Sequence, residues 1–202
     1  ISELEAVTEV SKAVMKTLEK NGYIQIIEEK VDRNPFLHKK IERDKKLVLT
    51  EKQQEVYDTI EFMIDNEEFT EFLLHGVTGS GKTEVYMQLI EKVINNGKSA
   101  IILVPEISLT PQMVDRFLAR FGDVVAVLHS KLSVGERFDE WKKIKEDRAK
   151  IVIGARSAIF APVKDLGIII IDESHDISYK ADSTPRYNAK ELASYIAKLN
   201  NC

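Results

Sequence analysis

An α/β domain built on a parallel sheet covered by helices on both faces is the fold class this sequence predicts. Three observations carry it. Short runs at residues 71–75, 100–104, 124–129, 150–154 and 167–171 are apolar nearly throughout and alternate with amphipathic segments of helical length. Strands without a polar face belong in a sheet that is covered on both sides. Gly76 to Thr83 (GVTGSGKT) fits G-x-x-x-x-G-K-[ST] and stands between the first run and a helical segment. Finally, 44% hydrophobic and 31% charged residues in a chain of 202 leave material for one sizeable core and a small appendage.

Taken in order, residues 1 to 20 read as an amphipathic helix, with Ser2 and Glu5 as a capping box and Val7, Val10, Val14 and Leu18 at helical spacing. Asn21-Gly22 stops it, and a β-rich stretch from Tyr23 to Val31 ends near Asn34-Pro35. A helix and a ribbon in ~35 residues bury too little to fold alone, so residues 1–35 look like the end of a winged-helix unit. Residues 36–46 hold Lys39, Lys40, Arg43, Lys45 and Lys46 and read as a solvated basic linker. The alternating domain occupies residues 47–202. Its helices are expected from Thr50 to about Asp65, over residues 82–95 with Val85, Leu89 and Val93 on one face, and from Thr110-Pro111 to near Gly122. Ser133 with Glu136 caps the next, in which Trp141 is expected to anchor the core among Lys142, Lys143 and Lys145; Asn188 with Glu191 caps the last.

Several classes are excluded. No apolar run approaches the ~20 residues that cross a bilayer, and no signal-peptide pattern opens the chain. The one cysteine, Cys202, cannot form an internal disulfide or a cysteine-rich zinc site, so zinc is not expected, and the chain is expected to be cytoplasmic. His38, His75 and His129 lack metal-ligand spacing. A net charge of −4 means that any nucleic acid must be met by local patches. The first residue is isoleucine, which suggests an excised fragment.

The glycine-rich motif has a physical reading. Glycines let successive N–H groups converge on phosphate oxygens, and the following helix adds its positive end. Gly76, Thr78, Gly79, Ser80, Gly81, Lys82 and Thr83 are the candidate nucleotide-binding residues, with Lys82 on the β- and γ-phosphates and Thr83 on Mg²⁺. Ile168 to Ile171 form an apolar run that ends in Asp172-Glu173, which suits Asp172 to the Mg²⁺ shell and Glu173 to polarising a water. No N-K-x-D occurs, which disfavours guanine nucleotides.

Asp172-Glu173-Ser174-His175 resembles the D-E-x-H box of superfamily 2 helicases. Further segments narrow the likeness: residues 104–112 (VPEISLTPQ), 128–130 (LHS), 153–160 (IGARSAIF), 178–180 (SYK) and 185–187 (PRY). Together they resemble the bacterial primosomal replication-restart helicases, the PriA or primosomal protein N′ family. The resemblance implies a RecA-like P-loop NTPase lobe from an ATP-dependent 3′-to-5′ DNA helicase, with ATP and Mg²⁺ as cofactors. It implies single-stranded and forked DNA, single-stranded-DNA-binding protein and other primosome proteins as partners, and a monomer without membrane attachment. It adds His175 as a coupling residue beside catalytic Lys82, Asp172 and Glu173, and Gln53 as an adenine reader, although Thr50-x-x-Gln53 is also a capping box. Thr110, Arg156, Ser157, Tyr179, Lys180, Arg186 and Tyr187 become DNA-contact candidates, each with a capping, surface or packing role as its rival. The family usually reads D-E-E-H, so Ser174 is a departure. Two other readings stay open: another superfamily 2 translocase on DNA or RNA, and an ATP-gated scaffold without catalysis.

Overall fold

The computed structural model describes residues 12–25 and 44–202. The chain divides into two compact units, Ile1–Asp32 and Arg33–Cys202. In the first, α1 (Lys12–Lys20) is described and is followed by a turn in which Gly22 takes a φ of 77°. The capping box at Ser2 and most of the expected ribbon lie outside the described residues, as does most of the basic linker.

The second unit contains α2 (Glu51–Asn66), α3 (Lys82–Asn95), α4 (Pro111–Phe121), α5 (Val134–Lys145) and α6 (Ala189–Asn200). They surround a parallel sheet of β1 (Ser99–Leu103), β2 (Val125–Leu128), β3 (Ile151–Gly154) and β4 (Leu166–Ile171), in the order β2-β3-β1-β4. Alternation explains why the strands are apolar throughout. Ala100, Ile102, Val125, Val127, Ile151 and Ile153 face one way, onto Tyr86, Met87 and Ile90 of α3 and Val114 and Phe117 of α4. Ile101, Leu103, Ala126 and Val152 face the other way, onto Ile144 of α5, Ile159 and Ala189 and Ala193 of α6. The expected α/β class, with helices on both faces, is the one observed.

Strand β2 forms one edge of the sheet, and side chains of α5 close it. The Val127 N–H donates to Glu140 at 2.8 Å, and the Lys143 ammonium donates to the Val125 carbonyl at 2.9 Å. Both side chains are buried. Edge groups that would otherwise offer a pairing template are thus satisfied within the fold.

Two expectations need correction. Residues 71–75 form no strand. Phe72, Leu73 and Leu74 line a groove with Val56 and Ile60 of α2, and the Ser194 hydroxyl donates to Glu71. Phe72 and Leu73 stay exposed beside α2, and only Leu74 of the three is partly buried. Trp141 is no core anchor: it is exposed, and the buried side of α5 is formed by Glu140, Lys143 and Ile144. Hydrogen bonds also hold Asp44, near the end of the basic segment, and Leu47, the first residue of the alternating domain. Asp44 donates its N–H to the Ala119 carbonyl, Leu47 donates to Glu84, and Gln88 donates to the Leu47 carbonyl.

Candidate nucleotide site

Helix α3 begins at a bend that only glycine holds without strain. Gly79 and Gly81 have φ of 80° and 81°, the left-handed region, and Gly81 is the N-cap. A Cβ at Gly81 would also collide with the Gln53 carboxamide. The loop is open to solvent above the helix N-terminus, which is the geometry an anion needs. Lys82 folds back over it, donating to the Gly76 and Val77 carbonyls at 2.7 and 3.1 Å.

Gln53 fills the capping role, and its other end meets the phosphate loop. Its Oε1 accepts from the Thr50 N–H at 2.8 Å and completes the capping box of α2, while its Nε2 donates to the Ser80 carbonyl at 2.9 Å. Helix α2 is therefore fastened to the phosphate loop through this amide. Gln54, its neighbour, points away and donates to Asp58.

At the C-terminal end of β4, Asp172 donates its N–H to the Leu103 carbonyl, so it sits against central strand β1. Tyr86 of α3 joins it to the loop. The Tyr86 hydroxyl donates to Asp172 Oδ2 at 3.3 Å. Burial and the Asp172 charge push the Tyr86 pKa up, so it stays a neutral donor. Asp172, one of the expected Mg²⁺ pair, is thus tied to the helix on which Thr83, the other, stands one turn before Tyr86. Their oxygen donors suit a hard divalent cation. Nothing in the sequence pattern marked Tyr86, because its partner lies 86 positions away.

Glu173 takes φ 45°, its N–H donates to Asp172 Oδ1, and its side chain is exposed. His175 Nδ1 lies 3.6 Å from Glu173 Oε2, and Lys190 donates to the Ser174 carbonyl. Asp176 accepts from the Ser178 N–H at 2.7 Å; that residue's side chain and backbone bonds hold the Asp176 carboxyl below the usual range.

The expected DNA residues divide. Tyr179 is contradicted as a stacking ring: it is 1% exposed, and its hydroxyl lies 2.6 Å from the Asp172 carbonyl and 3.0 Å from that of Leu103. A ring enclosed by the sheet end cannot take a base. Arg156, Tyr187 and Phe160 do cluster. Arg156 donates to the Ser178 and Lys180 carbonyls and lies 5.7 Å from the Tyr187 ring centre, and Phe160 meets that ring edge-on at 5.1 Å. Lys180, Arg186 and Ser157 are exposed nearby in sequence. Thr110 stands apart as the N-cap of α4, accepting from Met113. Among the described residues, no group of histidines, cysteines and carboxylates forms a further metal cluster.

Residues 46–200 match the family described as type III restriction enzyme, res subunit. The chain belongs to that family. Within it, replication restart protein PriA of Bacillus subtilis is 53% identical over 195 residues, 96% of this chain and 24% of that protein. PriA of Synechocystis is 44% identical over 193 residues, 95% of this chain and 23% of that protein. PriA of Haemophilus influenzae is 40% identical over 200 residues, 94% of this chain and 26% of that protein. The resemblance read from the motifs is borne out, and the chain spans about a quarter of the relatives it matches.

Proposed function

We propose that this chain is the ATP-binding lobe of an ATP-dependent DNA helicase that acts in primosome assembly and replication restart. The observation that carries the reading is the Tyr86–Asp172 hydrogen bond, which ties the carboxylate end of β4 to the helix that begins at Lys82 and Thr83 under an open glycine loop. In this reading Lys82 leaves its loop carbonyls for the phosphates, Thr83 and Asp172 hold Mg²⁺, and Glu173 takes the proton of the attacking water. Gln53 keeps the loop in register with α2 and turns toward the adenine, and His175 passes the state of the site to the 176–187 loop. Single-stranded and forked DNA would be met by Thr110, Arg156, Ser157, Lys180, Arg186 and Tyr187. A 3′-to-5′ polarity, contact with single-stranded-DNA-binding protein, a cytoplasmic location and a monomeric state belong to the same proposal.

The description of the matched family favours a second reading, a different nucleic-acid motor of superfamily 2. Comparing ATPase stimulation by single-stranded, forked and duplex DNA and by RNA separates the two. The nucleotide assignment is tested first by titrating a fluorescent ATP analogue. Lys82→Ala should weaken binding strongly while leaving the circular dichroism spectrum in place. Equal affinity in the variant would remove the phosphate loop from the site.

A further inference from the structure

Helix α5, beside the edge of the sheet, carries a face that neither the core nor the nucleotide site uses. Its buried side is formed by Glu140, Lys143 and Ile144. At about 100° per residue, the opposite side is swept in angular order by Arg137, Trp141, Val134, Lys145, Phe138 and Lys142. Val134, Phe138 and Trp141 are 89%, 66% and 43% exposed. The arc is roughly 140° wide and holds no carboxylate. The acids of this helix point elsewhere: Glu136 closes the capping box, Glu140 accepts from Val127, and Asp139 falls outside the arc. Glu146, the C-cap, pairs with Lys142 and Arg148.

Aromatic faces bordered on both sides by cations have the chemistry that holds a single strand, because rings take any base and cations take phosphates. Phe138 and Trp141 are three positions apart, about 5–6 Å between Cβ atoms, so each ring can serve its own base. The position agrees. Strands β2 and β3 are parallel neighbours, and a Cβ on Gly154 would stand 2.6 Å from the Leu128 carbonyl. The chain leaving β2 toward α5 and the chain leaving β3 toward Arg156 therefore emerge side by side at one end of the sheet.

We propose that this face of α5 is a further contact for single-stranded nucleic acid, with Phe138 and Trp141 stacking on bases, Lys142 and Lys145 reaching phosphates, and Arg137 doing so once it leaves the Ser130 carbonyl. The choice of ligand rests on the proposed function, and the test separates the two. Trp141 is the one tryptophan of the chain, so its emission reports this face alone. Titrating the 202-residue chain with oligo-dT should quench that emission, less so at higher salt. Phe138→Ala should weaken the quench-monitored affinity by roughly 5- to 150-fold, one lost stack. Replacing Lys142 and Lys145 with glutamine should flatten the salt dependence. Anisotropy of a labelled oligonucleotide is read in parallel. Binding by anisotropy with unchanged Trp141 emission would overturn the α5 contact and leave nucleic-acid binding standing. No binding by either readout would overturn both. Quenching by an acidic, aromatic peptide but not by DNA would give the face to a protein partner and overturn the proposal.

Discussion

Tyr179 and Tyr187 lie in one loop, and burial decides that they act differently. Tyr179 closes the end of the sheet: its hydroxyl bonds the carbonyls of Asp172 and Leu103, tying the carboxylate strand to the central strand. Tyr187 lies partly exposed between Arg156 and Phe160. Tyr179→Phe should cost about 1 kcal/mol, since the part-buried Asp172 carbonyl loses its donor while the Leu103 carbonyl keeps the Asp172 N–H. Tyr187→Ala should cost less stability and more affinity for single-stranded DNA. Urea denaturation of each variant, beside oligonucleotide binding, checks the split; the reverse pattern would make Tyr187 the structural ring. The family resemblance grouped the two tyrosines, because a shared motif cannot show which ring turns inward. The same limit hid Tyr86 and misplaced Trp141.

At the scale of elements, helices were the most legible part. Thr50, Thr110, Ser133 and Asn188 all cap where their side-chain chemistry indicates. Strands were legible wherever both faces are buried; residues 71–75 failed because three apolar residues in a row do not guarantee burial, and Phe72 and Leu73 stay exposed. The join between α3 and α4 was not legible at all. Glu84, directly after the phosphate loop, is buried and accepts from Leu47, Gln88, Arg116 and Arg120, the last at 2.9 Å. Burial, the largest influence, pushes its pKa up, but the Gln88, Leu47 and Arg120 bonds outweigh it and hold it below the ordinary 4.5. A folded pKa below the unfolded one means that this stabilisation is complete above 4.5 and fades as pH falls through the folded value. Glu84→Gln should cost about 3 kcal/mol at neutral pH, the low end for breaking a buried pair, because Asp44 remains 3.6 Å from Arg120. It should also flatten the acid limb of stability. Urea midpoints measured from neutral to acidic pH read both effects; an unaltered acid limb would mean that other carboxylates set it.

For the whole molecule, the phosphate loop and the Asp172-Glu173 strand end were legible because each is a local pattern with one physical purpose. What the fold then adds is a shortage of mobile positive charge at the phosphates. Arg116 and Arg120 are bonded to Glu84, Arg137 to the Ser130 carbonyl, Arg148 to Glu146, and Arg156 to the 178 and 180 carbonyls. Arg186 stands exposed in the loop beyond Tyr179. Lys82 is the cation that bonds the phosphate loop among the described residues. An arginine brought to the transferring phosphoryl group is worth ~10³–10⁵ in turnover, and residues 44–202 hold none in that position. The 202-residue chain should therefore bind Mg-ATP weakly, hydrolyse it slowly and respond little to single-stranded DNA, with no strand separation. A coupled ATPase assay and a forked-duplex unwinding assay on the purified chain measure this. Fast, DNA-stimulated turnover would show that one of these arginines leaves its partner to reach the phosphates, and replacing Arg116, Arg156 and Arg186 in turn would reveal which.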